Sequence, residues 1–256
     1  MKHSLLCFLI LLLICASPLP LFSSEKKPYT EIEAGTVYEK LTKDHSPWRS
    51  TYLEVKRGDS VRRFLLLQAR QTRRFSLTDR ELAGIISLPL GYRHTVAFEA
   101  SGSSSHEVLP KKSMTGRLSS ILANGWLAGM SMGKRFYDKS DVTFGSVGIE
   151  HYFSAYRLAY TLYSSRVEKG DTEFSHAVAF DRYYGRKSST GIRLSAGEES
   201  ENIDGTKVIT TWVKGAAFTG RHWLDERWGI SYSATFHKQG NHYDRYGLLA
   251  GLRYRF

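Results

Sequence analysis

The sequence predicts an all-β fold: an antiparallel transmembrane β-barrel of about fourteen strands, with 12 or 16 as the neighbouring even solutions. Three observations predict it. The C-terminal segment alternates with a period of two, turn signals recur at hairpin spacing, and the N-terminus carries an export segment.

The C-terminal segment is the clearest element. Tyr246, Leu248, Ala250, Leu252, Tyr254 and Phe256 form one face, apolar with aromatics at both ends. Arg245, Gly247, Leu249, Gly251, Arg253 and Arg255 form the other. A period of two is that of a β-strand. A greasy face with aromatic ends, backed by charge, is what the wall of a membrane barrel requires. The ending Leu252, Tyr254, Phe256 also resembles the C-terminal assembly signal of bacterial outer-membrane proteins, which implies the barrel assembly machinery as a partner.

At the other end, Lys2 followed by the apolar run Leu5–Ile14 reads as a signal peptide, broken by Pro18 and Pro20. Residues 1–24 are assigned to it, with an uncertain cut, and residues 25–256 to the barrel. Export would end in the bacterial outer membrane. Both cysteines, Cys7 and Cys15, fall in the leader, so the remainder can form neither disulfides nor thiolate metal sites. No long apolar run follows. A barrel needs none, because lipid meets only alternate residues.

From Tyr29 onward the chain reads as hairpins. Tight turns are expected at 57–60, 90–93, 123–126, 153–156, 185–188 and 224–227, and Asn124-Gly125 is the strongest of them. Looser connections are expected at 40–47, 101–110, 138–141, 168–172, 198–205 and 238–243, with a sharp one near Arg73–Leu77. Thirteen connections give fourteen strands with both ends in the periplasm, short turns on that side and longer loops outside. Tyr156, Leu158, Tyr160 and Leu162 share a lipid face, as do Ile230, Tyr232, Ala234 and Phe236, and Ile192, Leu194 and Ala196. Leu82, Ile86, Leu88 and Leu90 mark another, blurred by Ile85. The faces of 61–69 and 207–219 stay open. An open sheet is excluded in lipid, since each unpaired edge amide costs several kcal/mol.

Several segments resemble the YaiO family of outer-membrane β-barrel proteins: Trp48–Val55, Phe75–Gly84, Leu88–Gly91, His94–Ser101, Ser105–Pro110, Tyr156–Tyr163 and Gly220–Trp223. The likeness spans the chain beyond the leader. It implies fold and outer-membrane location, and it carries no reaction, substrate or site. The turn at Ser154-Ala155 departs from the expected glycine or aspartate.

The formal charge of +11 in a soluble protein would suggest nucleic acid. In an outer-membrane barrel the nearer anions are lipopolysaccharide phosphates, so membrane lipid is the expected partner and nucleic acid is not. Lys40, Lys43, Arg73, Arg74, Lys111, Lys112, Lys139 and Lys169 are placed in outer loops. A periplasmic partner is left unnamed. No catalytic residue, metal or cofactor is expected. His94 with Glu99, Ser104 with His106, and His237 with Asp244 recreate no catalytic order, and a hydrolase is the minor alternative. His222, His237 and His242 lack ligand spacing, and a site from His242, Asp244 and Glu199 would be a loose assembly.

The lumen is more informative. Glu99, Arg117, Arg135, Arg157, Asp181, Arg193, Arg253 and Arg255 are the inward candidates, because an arginine facing lipid near the midplane costs about 2–4 kcal/mol. Two readings follow. A wet, basic lumen would pass anionic solutes or an exported saccharide. A filled lumen, with arginines paired to Glu99, Asp181 and tyrosines, would leave a structural or surface-binding protein.

Overall fold

The computed structural model describes residues 28–185, 187–202 and 208–256. The expected leader lies outside the described residues, as do Arg186 and the 203–205 portion of the connection expected at 198–205. The described chain forms β1 (Tyr29–Leu41), β2 (Trp48–Gly58), β3 (Phe64–Arg74), β4 (Leu77–Leu90), β5 (His94–Ser103), β6 (Lys112–Ile121) and β7 (Trp126–Phe136). It continues as β8 (Asp141–Phe153), β9 (Tyr156–Val167), β10 (Thr172–Tyr184), β11 (Ser188–Asn202), β12 (Val208–Trp223), β13 (Trp228–Gln239) and β14 (Tyr243–Arg255).

Each strand pairs antiparallel with its successor, and β14 pairs with β1 to close the barrel. The seam runs from Glu31 opposite Arg255 to Leu41 opposite Arg245. Closure leaves no edge, the one arrangement in which every strand satisfies its backbone in hydrocarbon.

Directly paired residues point to the same side, so β14 sets the faces of the whole wall. Leu248 is 64% exposed and Arg253 only 2%. Carried across the register, the inward row from Arg253 runs through Glu33, Glu54 and Gln68. The two open segments are resolved by the same rule. Residues 61–63 are a turn, after which Leu65 and Leu67 face lipid while Phe64 and Leu66 face inward. In β12, Trp212, Ala216 and Phe218 face out, and Val213 and Ala217 face in. Ile85 blurred its strand because it is an apolar residue on the inward face, paired with Glu99.

Thr30 and Phe256 meet at one end, where the Phe256 amide donates to the Thr30 carbonyl at 2.9 Å. At this terminal end, outward rings form a girdle: Trp126 stacks on His151 at 4.3 Å, Tyr156 stacks on Phe180 at 5.5 Å, and Trp228 meets Tyr254 edge-on at 4.7 Å. The Arg62 guanidinium ties two terminal-end turns together, donating to Tyr92 O and Thr95 Oγ1, each at 2.7 Å. In the turn after β12, the Asp225 carboxylate accepts from the amides of Trp228 and Arg227, which hold it below the usual carboxylate range.

The expected contrast between short turns and long loops is weaker than the sequence suggests. The loop-end connection 75–76 has two residues, both at positive φ, whereas 59–63 at the terminal end has five. The reason is strand length. β4 has 14 residues and β12 has 16, against the roughly 9–11 that span a bilayer, so strands absorb what would have been loop. The longest loop among the described residues is 104–111. The turn at Ser154-Ala155 forms without glycine or aspartate, with Ser154 taking φ 52°.

The loop-end lysines and arginines need correction. Lys40, Arg73, Arg74 and Lys112 lie within strands rather than loops. Lys40, Arg73 and Lys112 are on the outward face, and Arg74 is on the inward face.

Candidate functional site: the barrel lumen

All eight sequence candidates stand on the inward face, but they separate into different sets. At the terminal end, Arg253 and Arg255 alternate with Tyr254 on β14, opposite Glu31 and Glu33, which alternate with Ile32 on β1. Arg253 donates to Glu31 Oε2 at 2.8 Å and its Nε lies 3.1 Å from Glu33 Oε2. Arg255 reaches Glu31 Oε1 at 2.7 Å. Tyr52 donates its hydroxyl to Glu33 at 2.7 Å, and Ser231 donates to the same oxygen. The Trp223 ring lies beneath both arginines, at 5.4 Å and 5.6 Å. Glu31, Glu33 and Arg253 are all buried. This is a desolvated network that fills one side of the terminal end.

Tyr52 fits there because Gly35 leaves room for its ring, where a Cβ would collide with the ring carbons. Gly35→Ala should therefore lower barrel stability by about 1–3 kcal/mol. It is measured as a lower urea midpoint, while Tyr52→Phe keeps the packing and loses only the Glu33 bond.

Across the barrel, Arg157 donates to Asp181 at 2.9 Å and to Glu150 at 3.1 Å, and Tyr152 also donates to Glu150 at 2.9 Å. Arg157 and Asp181 are thus half-buried structural partners on neighbouring strands. Arg193 stands apart, its guanidinium hydrogen-bonded to the Tyr163 hydroxyl.

The loop end is filled differently. Trp48, 1% exposed, packs with Leu41, Tyr243 and Phe75. Arg74 and Arg245 lie over its ring at 4.2 Å and 4.8 Å. Loop 104–111 folds inward, and Asp79 at the head of β4 holds it. The Asp79 carboxylate accepts the amides of Glu107 at 3.0 Å and of Val108 and Leu109 at 2.8 Å each. Asp79 has no exposed surface.

Between these fillings lies a cavity of about 400 Å³ that reaches across the lumen. Five arginines line it, Arg70, Arg74, Arg117, Arg135 and Arg245, against three glutamates, Glu81, Glu99 and Glu199. Val108, Leu109 and Pro110 of the inward loop form part of its wall. Arg70 pairs with Glu81, and Arg117 with Glu99 at 2.6 Å. Arg245 pairs with Glu39 at 3.3 Å. Arg135 lies 4.4 Å over the Phe144 ring. Of the eight candidates, Glu99, Arg117 and Arg135 therefore meet at the cavity.

The weak catalytic and metal pairings come apart. His94 faces outward and bonds Ser120 at 2.8 Å, whereas Glu99 faces inward. His106 pairs with Asp138 at 3.2 Å. His237 faces the lumen beside Gln239 at 2.7 Å, while Asp244 faces outward toward Lys238. Glu199 lies at the cavity, so it and Asp244 sit on opposite faces. Among the described residues no group of three or more His, Cys, Asp or Glu is placed to hold a metal ion.

Sequence reasoning missed Glu31, Glu33, Tyr52, Trp48, Asp79 and Arg70. A signal existed for the first two. Closure puts the first strand beside the last, so Glu-Ile-Glu against Arg-Tyr-Arg is a readable complement. For Asp79 there was none, since its partners are backbone amides of a loop about thirty residues away.

Solved structures with similar barrels include the anion-selective porin from Comamonas acidovorans, 8% identical, with TM-score 0.51 and coverage of 90% of this chain and 99% of that one. Omp33 from Acinetobacter baumannii is 11% identical, with TM-score 0.53 and coverage of 89% and 99%. The CymD monoaromatic hydrocarbon channel is 9% identical, with TM-score 0.55 and coverage of 91% and 88%. At such identities the likeness shows the fold alone. A comparison with curated proteins finds no match. The family model described as the YaiO membrane β-barrel domain matches residues 29–202, stopping before β12, so the resemblance at Gly220–Trp223 lies outside the match. That match covers more than half of the sequence, and the chain belongs to the YaiO family of outer-membrane β-barrels.

Proposed function

We propose that the barrel is a narrow passage for small anions, with the arginine-lined cavity as its selective step. The observation that carries this reading is the convergence of five arginines on about 400 Å³ of lumen against three glutamates. That volume falls in the range of small-molecule sites. An excess of fixed positive charge within low-dielectric walls concentrates anions and repels cations. An anionic solute such as an acidic sugar suits the site better than a neutral one, because forked guanidinium groups recognise carboxylate and phosphate.

The test is single-channel recording of the refolded protein in a planar bilayer under a KCl gradient. The expected result is ohmic current with a reversal potential showing chloride preference. Arg117→Gln with Arg135→Gln should cut the chloride-to-potassium permeability ratio several-fold. Current without anion preference, or a ratio untouched by the double variant, overturns the reading.

A non-conducting barrel is the second reading, favoured by the aromatic filling around Trp48 and the buried Glu31–Glu33–Arg253 network. Silence at all voltages selects it. Under either reading the chain enters the membrane through a cleaved leader and the assembly machinery, with Leu252, Tyr254 and Phe256 on the outward face of the last strand.

A further inference from the structure

The outer wall from β3 to β8 carries an apolar groove of about 700 Å³ on its lipid side, separate from the lumen. Its floor is lowered by Gly84, Ala100 and Gly116, and its walls are Leu65, Ile86, Phe98, Met114 and Met132. Gly116 is open to the outside, since a Cβ there would meet nothing nearer than Phe98 at 3.9 Å. Along the register, Ile86, Phe98, Gly116 and Met132 form one outward row. The next row toward the loop end is Ala100, Met114, Lys134 and Thr143, and above it stand Lys112, Phe136 and Asp141.

Charge gathers at the loop-end rim of this groove. The ammonium groups of Lys112 and Lys134 lie over the same Phe136 ring, at 4.6 Å and 5.0 Å from its centre. Asp141, 2.8 Å from Lys134, is the carboxylate beside them. Arg166 follows on β9, opposite Thr143. Two lysines and an arginine thus stand with Asp141 directly above a greasy trough. The terminal end has its aromatic stack instead. In the orientation expected from the even strand number, with both termini periplasmic, the basic rim stands in the outer leaflet.

We infer that this wall is a binding site for lipid A, the phosphorylated, multiply acylated anchor of lipopolysaccharide. Its phosphates sit against Lys112 and Lys134, and one acyl chain lies in the groove over Gly116. The charge complement picks a phosphorylated headgroup, and the adjoining trough picks a lipid over a free phosphate. Thioether side chains at Met114 and Met132 adapt to a flexible chain. The site lies outside the barrel and does not depend on whether the lumen conducts.

The experiment is native mass spectrometry of the folded protein in detergent, titrated separately with bisphosphorylated lipid A, dephosphorylated lipid A and phosphatidylglycerol. Lipid A should bind at least ten-fold more tightly than either of the other two. Lys112→Glu with Lys134→Glu should abolish that preference, and Gly116→Leu, which fills the trough, should weaken lipid A several-fold. Arg182→Glu, outward at the terminal end, should change nothing. Equal affinity of the native protein for lipid A and its dephosphorylated form overturns the inference without any variant. So does phosphatidylglycerol binding as well as lipid A, or a folded double lysine variant that retains lipid A. Heat-modifiable migration in SDS verifies that each variant is folded.

Discussion

Arg253→Met is expected to destabilise the barrel by about 3–5 kcal/mol, the range for removing one partner of a buried ion pair. Arg253 is 2% exposed, and its guanidinium neutralises both Glu31 and Glu33, which are themselves buried. Methionine keeps the apolar stem over Trp223 and deletes the charge that touches both carboxylates, leaving Arg255 and Lys56, both on the Glu31 side, to answer them. The check is equilibrium unfolding in detergent, read as the urea midpoint. A companion variant separates lost attraction from stranded charge. Arg253→Met combined with Glu31→Gln and Glu33→Gln should recover part of the loss, because the two buried carboxylates become neutral amides and the cations left behind, Arg255 and Lys56, lie toward the rim of the network. A midpoint unmoved by Arg253→Met, or a triple variant as weak as the single one, would sink the account.

Asp79→Ala should release loop 104–111 from the lumen. The Asp79 carboxylate receives three backbone amides, and a hydrogen bond to a charged group contributes about 1.5–3 kcal/mol. Nothing in an alanine methyl replaces them, and the three amides would turn to water. In the folded variant, a glutamate-specific protease should cut after Glu107 faster than in the native protein, where the Glu107 amide is held by Asp79. Because Val108, Leu109 and Pro110 wall the cavity, conductance should rise several-fold at the same time. Asp79→Asn keeps one acceptor oxygen and should fall between the two. Unchanged proteolysis together with unchanged conductance would mean that the loop is held by something other than this carboxylate.

Strand positions were legible wherever a face was uniformly apolar. Tyr156–Tyr163 and Tyr246–Phe256 alternate cleanly because lipid accepts no exceptions at the midplane, and the number of connections followed from the turn residues between such segments. Legibility failed where the inward face was itself apolar. Ile85, Leu66 and Val213 are apolar residues on the inward face, so the contrast between faces vanished. Loop lengths were overestimated for a related reason. Outward residues beyond the hydrocarbon are polar, as at Arg73 and Lys112, and polar stretches read as loops even when hydrogen-bonded in strands. The lumen was legible as a set of inward charges and not as an arrangement. Arg157 and Arg135 look alike in sequence, yet one is tied to two acids and the other lies over a ring at the cavity. Such differences depend on which side of the cylinder a residue occupies, and strand periodicity carries no angular coordinate.

The seam between β1 and β14 has a consequence for assembly. Its Arg253–Glu31 pair joins residues 222 positions apart, and like the other ion pairs of the seam it forms only when the cylinder shuts. A slip of one residue there would turn Arg253 and Arg255 into the hydrocarbon, because side chains change sides with every step. A slip of two would offset the paired charges, leaving one of the acids Glu31 and Glu33 or one of the two arginines facing the wrong neighbour. Mispaired closures are thereby penalised electrostatically at the last moment of folding, and the charged zipper serves as a proofreading clasp for the finished wall.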